Sequence, residues 1–181
     1  SSVVRTIIAS IVLLCGVGNN FPLLFLEQNA EVVVGLLGNL ASVVCDYSTR
    51  FKVGGTHINF FIMKQISVLP PLLFQQKALW ELNSTIANWL IPRIVELVYT
   101  AYDFAPFAYD LGYTGSPFSW DPDRRARIRF ELDAAFFHLY LGSQDDWANN
   151  SSQELREWFP TPRDVIPHIM ESFPIIRDKD I

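Results

Sequence analysis

Apolar residues follow two patterns along this chain, one continuous and one spaced. The continuous pattern comes first: residues 3–14 form an almost unbroken apolar run rich in β-branched side chains, and residues 21–26 form a second run. A glycine-containing turn at residues 16–20 separates the two runs, which favours two buried strands. The spaced pattern begins at residues 31–47, where apolar residues recur at helical intervals and predict an amphipathic helix.

The pattern beyond residue 72 is helical. Residues 84–103 predict a helix that is capped by Ser84 and kinked at Pro92. On this helix Arg93 and Glu96 are three residues apart, so we expect them to form an ion pair.

The helix that follows residue 120 has the clearest start in the sequence. Asp121 supplies an N-cap carboxylate, Pro122 occupies the first helical position, and Asp123 adds negative charge to the first turn. The expected buried stripe consists of Ile128, Leu132, Ala135, Phe136 and Leu139. Phe130 and Phe137 fall on the opposite side, so we expect this helix to be wedged between elements or to face a partner.

Together these patterns predict an α+β fold in which helix predominates, with short N-terminal strands and a helix followed by a helical half. A polar loop is expected at residues 142–152, then two short helices at residues 153–159 and 162–172 and an extended tail. We divide the chain into a strand and helix portion, 1–72, and a helical portion, 73–181, that packs on it. One continuous domain is the alternative.

Composition narrows the class of protein. The chain has 181 residues, of which 50% are hydrophobic, 14% aromatic and 18% charged, which excludes a disordered tail, a collagen-like repeat and a disulfide scaffold. The net charge of −5 argues against non-specific nucleic-acid binding. Residues 1–103 carry six basic and six acidic residues, so the acidic surplus lies beyond residue 103.

The N-terminal apolar run and the two cysteines bear on where the protein works. Arg5 followed by the apolar run 7–17 is similar to a signal peptide, but the run is too short to span a bilayer, and we interpret it as strands. The missing initiator methionine leads us to expect a longer parent chain. Cys15 and Cys45 have no CxxC partner and no His at ligand spacing, so we expect two buried, reduced thiols and no metal site.

Catalytic motifs find little support in this sequence. No G-x-S-x-G turn surrounds a serine, and the pair Gly16 and Gly18 lacks the third glycine and following helix of a nucleotide-binding turn. No Asn-Pro-Pro-aromatic or Asp-Pro-Pro-aromatic tetrad, which amino-group DNA methyltransferases use to hold a flipped base, is present. A free-standing small-molecule enzyme would need a concave site that the sequence does not reveal.

A polar segment that contains two glycines is the best candidate for ligand binding. Arg and Lys suit phosphates and guanine edges, Asn and Gln suit adenine, and bare glycine amides can face a phosphate. The segment consists of Arg50, Lys52, Gly54, Gly55, Thr56, His57, Asn59, Lys64 and Gln65. Composition alone favours the other interpretation, a solvated loop between a helix and a strand.

A second cluster of cations lies on the helix after residue 120. Arg127 can pair with Glu131 and Arg129 with Asp133, four residues on in each case. Arg124 and Arg125 have no such partner in the sequence, so they join the candidate binding residues.

Eight stretches read together resemble one known family. They are residues 5–10, 16–23, 39–42 with 46–47, 52–65, 92–97, 124–136, 138–140 and 173–180. They are similar to the C-terminal region of fused restriction-modification proteins, type IIG-like or Eco57I-like, that carry an adenine-N6 DNA methyltransferase. Residues 39–71 also resemble the end of a recognition module in type I specificity subunits.

The resemblance implies a role in DNA target recognition and scaffolding, without catalysis by this chain itself. In that family a methyltransferase domain with the S-adenosylmethionine motif precedes this region, and some members carry a nuclease. The implied partners are double-stranded DNA and that methyltransferase domain, in the cytoplasm, with no membrane and no cofactor in this chain. The residues carried over are Arg50, Lys52, Thr56, His57, Asn59 and Lys64, then Arg124 and Arg125. The alternative is a protein-docking module without DNA contact, which Phe130, Phe137 and the acidic surplus favour.

Overall fold

A computed structural model describes residues 5–18, 21–55, 57–81 and 83–173. Within these ranges the chain forms nine α-helices and no β-strand, and its one β-pairing is a single antiparallel bridge between Lys77 and Thr85. The helices are α1 (Ala30–Ala41), α2 (Val43–Arg50), α3 (Phe60–Met63), α4 (Ile86–Val98), α5 (Ala105–Asp110), α6 (Pro122–Leu141), α7 (Gln144–Asn150), α8 (Gln153–Trp158) and α9 (Pro162–Glu171). Short 3-10 turns lie at Pro71–Gln75 and Tyr102–Phe104.

The predicted α+β class is therefore wrong. Residues 5–18 and 21–26, expected to be strands, have no regular secondary structure. A strand needs a neighbouring strand for its backbone hydrogen bonds, and the described part of the chain supplies none. The remainder of these predicted strands and their turn, residues 3–4 and 19–20, and the tail after Phe173 lie outside the described residues.

The helix predicted at residues 31–47 is two helices, α1 and α2, which meet at a bend of 60°. Ser42 causes the break because it closes one helix and starts the next. The Ser42 hydroxyl donates to the carbonyl of Asn39 and accepts from the backbone N–H of Cys45. The backbone of Ser42 itself is extended and not helical, so the helix is interrupted at this residue.

Helix α4 begins one residue later than expected, with Thr85 rather than Ser84 as its N-cap. Pro92 lies inside this helix. The predicted pair of Arg93 with Glu96 is wrong, since Arg93 pairs with Glu131 on α6, at 2.8 Å. The guanidinium of Arg93 also lies over the ring of Trp89, so two contacts made by the fold, with Glu131 and with Trp89, fix its position.

Helix α6 starts as predicted, with the carboxylate of Asp121 accepting from the backbone N–H of Arg124. Four of the five expected stripe residues are buried and Leu139 is partly buried. On its far side Phe137 is 5% exposed, as expected for a helix wedged between elements, whereas Phe130 is 41% exposed.

The polar loop expected at residues 142–152 is mostly helix α7. Ser143 and Asp146 form a capping box there, in which each side chain accepts from the other residue's backbone N–H. The Ser143 hydroxyl also donates to the Asp146 carboxylate at 2.7 Å, and this bond, together with the one from the Ser143 backbone N–H, holds the pKa of Asp146 below its ordinary value. The two short helices expected next are confirmed as α8 and α9.

The main core lies between α1, α4 and α6, and α2 and α9 close its side. Helix α1 approaches its neighbours closely because it carries two buried glycines. A Cβ at Gly35 would lie 2.6 Å from the ring of Phe74, and one at Gly38 would lie 2.9 Å from Phe136. Buried residues from both predicted portions of the chain join this one core.

No single helix among the described residues is long and apolar enough to cross a membrane. Helices α1 and α2 together have the length and apolar composition of a membrane span, but they are bent by 60° where they meet.

Candidate nucleic-acid interface

The candidate interface is the segment that connects α2 to the 3-10 turn at Pro71–Gln75. It lies within a stretch, residues 47–80, that contains four basic residues and no acidic one. The whole chain has a net charge of −5, so this stretch is locally basic in an acidic protein. Positive charge of this kind is what attracts a phosphate backbone.

Arg50 does not point to a ligand, because it holds α2 against the end of α9. Its guanidinium donates to the carbonyl of Ser172 at 2.8 Å and lies 3.7 Å from the ring centre of Phe173. It also pairs with the buried carboxylate of Asp46 at 3.6 Å. We therefore assign Arg50 a structural role.

Lys52 has a supporting role too, because it joins the two ends of the segment. Its ammonium donates to the carbonyl of Gln65 and, at 3.2 Å, to the hydroxyl of Ser67. This contact draws the start and the end of a loop, residues 53–64, towards one another. Lys52 thereby shapes the loop on which the other candidate residues lie.

Asn59 is the N-cap of helix α3, where its side-chain oxygen Oδ1 accepts from the backbone N–H of Ile62 at 3.0 Å. The short helix presents two aromatic rings to solvent, Phe60 at 61% and Phe61 at 75% exposure. Neither ring was among the candidate binding residues expected from the sequence. The available signal was two adjacent phenylalanines in a polar loop.

Four candidate residues are exposed and have no structural task in the described part of the chain. At Gly54 and Gly55 a Cβ would meet no atom within 4 Å. His57 and Lys64 are exposed, and Lys64 forms no ion pair with any described residue. Thr56 lies outside the described residues. The fold thus brings Gly54, Gly55, His57 and Lys64 onto one exposed loop.

A polar network centred on the buried Asn39 holds the chain just after this loop, at Ser67 and Leu69. The Tyr140 hydroxyl donates to the carbonyl of Ser67 at 2.7 Å and accepts from the amide of Asn39 at 2.6 Å. Asn39 in turn accepts from the backbone N–H of Leu69 at 2.7 Å. Burial raises the pKa of Tyr140, so the phenol keeps its proton and its role as donor. Sequence analysis missed this network because its members lie up to 101 residues apart.

Arg124 and Arg125, expected to lack partners, are both engaged. Arg124 makes a two-pronged contact with Glu96 at 2.9 and 3.0 Å, and that hydrogen bond raises its pKa. Arg125 donates to the carbonyl of Leu97 and lies 3.8 Å from the ring centre of Trp120; burial, foremost, lowers its pKa. Both residues fasten α6 to neighbouring elements and lie outside the loop.

The two ion pairs expected along α6 do not form. Glu131 accepts from Arg93, and Asp133 faces Arg5 at 3.6 Å and accepts from the backbone N–H of Val43 at 2.7 Å. Both acids connect α6 to other parts of the fold, and this leaves Arg127 and Arg129 exposed.

The two cysteines differ in environment. Cys45 is buried on α2, and burial raises the pKa of its thiol, which keeps it protonated. Cys15 is exposed, so the expectation of two buried thiols is wrong for that residue. Among the residues that the structure describes, no group of three or more His, Cys, Asp or Glu side chains could hold a metal ion.

Comparison of this chain with protein-family models, with curated proteins and with solved structures gives no match.

Proposed function

We propose that this chain is a DNA target-recognition and scaffolding region of an adenine-N6 DNA methyltransferase of the restriction-modification kind. It would work in the cytoplasm on double-stranded DNA. S-adenosylmethionine would bind to the methyltransferase domain, which also carries out the chemistry. The observation that carries the proposal is the loop of residues 53–64, which exposes Gly54, Gly55, His57 and Lys64 in a stretch without acidic residues. Lys52 fixes this loop where it ends.

The loop offers the types of group that hold duplex DNA. Lys64 supplies an exposed cation for a phosphate, and the bare backbone at Gly54 and Gly55 lets a phosphate approach the amides. His57 is a hydrogen-bonding group that can reach a base edge or a phosphate. Phe60 and Phe61 are apolar rings of the kind that wedge against a base step.

The contacts within the protein reduce the set of proposed DNA-binding residues. We retain Gly54, Gly55, His57 and Lys64 and add Phe60 and Phe61. Lys52 and Asn59 become positioning residues, because they hold the loop and its short helix in place. Arg50, Arg124 and Arg125 leave the set, since each is occupied by a contact within the fold.

Lys64→Ala tests this proposal directly. Loss of one phosphate contact should weaken binding to a random-sequence duplex about fivefold and lower the slope of log K against log salt by about 1. Fluorescence anisotropy between about 50 and 200 mM salt measures both quantities. The matched control is Lys77→Ala, which removes the same charge from an exposed site outside the loop and should change both quantities less.

Two results would contradict the proposal. Equal effects of Lys64→Ala and Lys77→Ala would mean that binding follows overall charge, so the loop would not be the contact site. A folded chain that binds no duplex even at the low salt concentration would remove the DNA-binding role itself.

A docking role is the second candidate, and one observation favours it. Residues 5–18 and 21–26 carry large apolar side chains that are exposed, among them Ile8, Leu14 and Phe25. Clustered exposed apolar side chains are typical of surfaces that contact another protein, a membrane or a ligand. The N-terminal segment and the loop of residues 53–64 border one groove, which Ile8, Gly55 and His57 all line, so a partner seated there would compete with DNA for part of the loop.

A further inference from the structure

The N-terminal segment, residues 6–26, is uncharged, and most of its described side chains beyond Ile7 are exposed. It contains no Asp, Glu, Lys or Arg in 21 consecutive residues. Two of its apolar side chains are almost fully exposed, Ile8 at 85% and Leu14 at 93%. Charged side chains are one means by which proteins keep an exposed, extended segment from pairing with another chain, and this segment has none.

The backbone of this segment has few partners within the protein. Its start is anchored, because the buried carboxylate of Asp46 accepts from the N–H groups of Thr6 and Ile7 at 2.7 and 2.8 Å. Beyond that anchor, in residues 8–17, the only hydrogen bond between described groups is from the Ser10 hydroxyl to the Ile11 carbonyl. A β-branched run with free backbone donors and acceptors can pair with another strand.

A groove of about 920 Å³ lies beside the segment. Residues 5–12 contribute one part of its lining, and apolar side chains of α1, among them Val33, Leu36 and Leu40, contribute another. Ile58, Met63 and Ile66 from the loop region also line it. The segment therefore does not close against the helices and leaves apolar lining open to an added chain.

We propose that residues 7–15 pair antiparallel with the same residues of a second copy of this chain. The added strand would satisfy the free backbone groups of the segment and cover the apolar groove. Antiparallel pairing of a run with its own copy is symmetric, so each copy both offers a strand and receives one. Residues 7–15 carry no charged side chain, so the two-fold symmetry brings no like charges together.

The second copy is the occupant because the two sides of the contact match each other in chemistry. The groove is lined largely by apolar side chains, and the strand that enters it is apolar and uncharged. Both features lie in every copy, and one two-fold contact removes both from water at once. The contact also closes on itself, which limits assembly to a dimer.

Sedimentation measurements on the whole chain with Ile8→Lys test this proposal. The natural chain should be a dimer, and Ile8→Lys should weaken dimerisation at least about tenfold, because a buried ammonium without a partner opposes pairing. Ile8 is exposed in the single copy, so the substitution leaves the fold intact, which far-ultraviolet circular dichroism verifies. Leu14→Lys should act in the same way. Leu79→Lys, at an exposed leucine outside the segment, is the matched control and should have no effect.

A spin label on Cys15 adds a distance, because Cys15 is exposed at the end of the proposed strand whereas Cys45 is buried. In that register Cys15 of one copy lies opposite residue 7 of the other, so the two Cys15 positions are about 26 Å apart along the paired strands, at roughly 3.3 Å per residue. Any of three results would overturn the proposal: a monomer at about 100 μM, well above a micromolar dissociation constant; a dimer that Ile8→Lys and Leu14→Lys leave unchanged; or assembly that continues beyond two copies.

Discussion

Asp46 shows how one buried residue organises the start of this chain. It lies on α2 with its side chain fully buried, accepts two backbone hydrogen bonds from Thr6 and Ile7, and pairs with Arg50. In the sequence Asp46 is only a polar residue near a helix end. Its partners lie 40 and 39 residues earlier, so no local pattern could indicate them.

We predict that Asp46→Asn lowers the free energy of unfolding by about 1–3 kcal/mol. The neutral amide accepts more weakly than a carboxylate and leaves the charge of Arg50 without its partner on α2. Urea denaturation followed by circular dichroism measures the change. Asp110→Asn, at an exposed position, is the control and should stay within about 0.5 kcal/mol. A loss at Asp46 no larger than that of the control would show that the anchor contributes little.

Residue type was a poor guide to residue role in the candidate site. Lys52 and Asn59 were selected because lysine and asparagine suit DNA, yet the same donors and acceptors also close loops and cap helices. Lys64 has the same chemistry as Lys52 and remains exposed. The difference lies in which carbonyls and hydroxyls the fold brings within reach.

At the scale of elements, helix α6 shows where periodicity succeeds and where it falls short. The capping sequence at Asp121 and the stripe from Ile128 to Phe136 follow from local chemistry and helical spacing, and the structure confirms both. The burial of Phe137 does not follow from that stripe. Neighbouring elements cover more than one side of α6, so a second face is buried as well.

Phe137 and Phe130 form a matched pair for a test of this second face. We predict that Phe137→Ala destabilises the fold by about 3–5 kcal/mol, because it leaves a cavity in the core. Phe130→Ala, at a ring that is 41% exposed, should cost about 1 kcal/mol or less. Thermal and urea unfolding of the two variants measure the difference. Similar losses would mean that the two rings do not differ in burial in solution.

At the scale of the whole molecule, one core joins the two portions that the sequence suggested. Val34, Leu37 and Val44 from the first portion pack with Leu90, Ile128 and Phe136 from the second in a single buried cluster. A shared core couples the unfolding of its parts. The domain division at residue 72 therefore leads to a clear test.

We predict that both portions unfold in one transition. All five tryptophans lie at residue 80 or beyond, so tryptophan fluorescence reports on the second portion. Cys45 is buried in the first portion, and its labelling by a thiol reagent reports on that part, with Cys15→Ser removing the exposed thiol. The two probes should give the same urea midpoint. Separate midpoints would show that the portions fold independently.

The sequence by itself determined the helices whose signals are local. The cap at Asp121, the proline at position 122 and the apolar spacing of α6 act within one or two helical turns, and so do the signals for α8 and α9. Only the tertiary structure decided the rest. It engaged Arg124 and Lys52, left Lys64 exposed on its loop, and gave residues 8–17 almost no hydrogen bonds with other described residues. The physical reason is that strand pairing, ion pairing and burial depend on atoms distant in sequence, whereas helix capping depends on atoms three or four residues away.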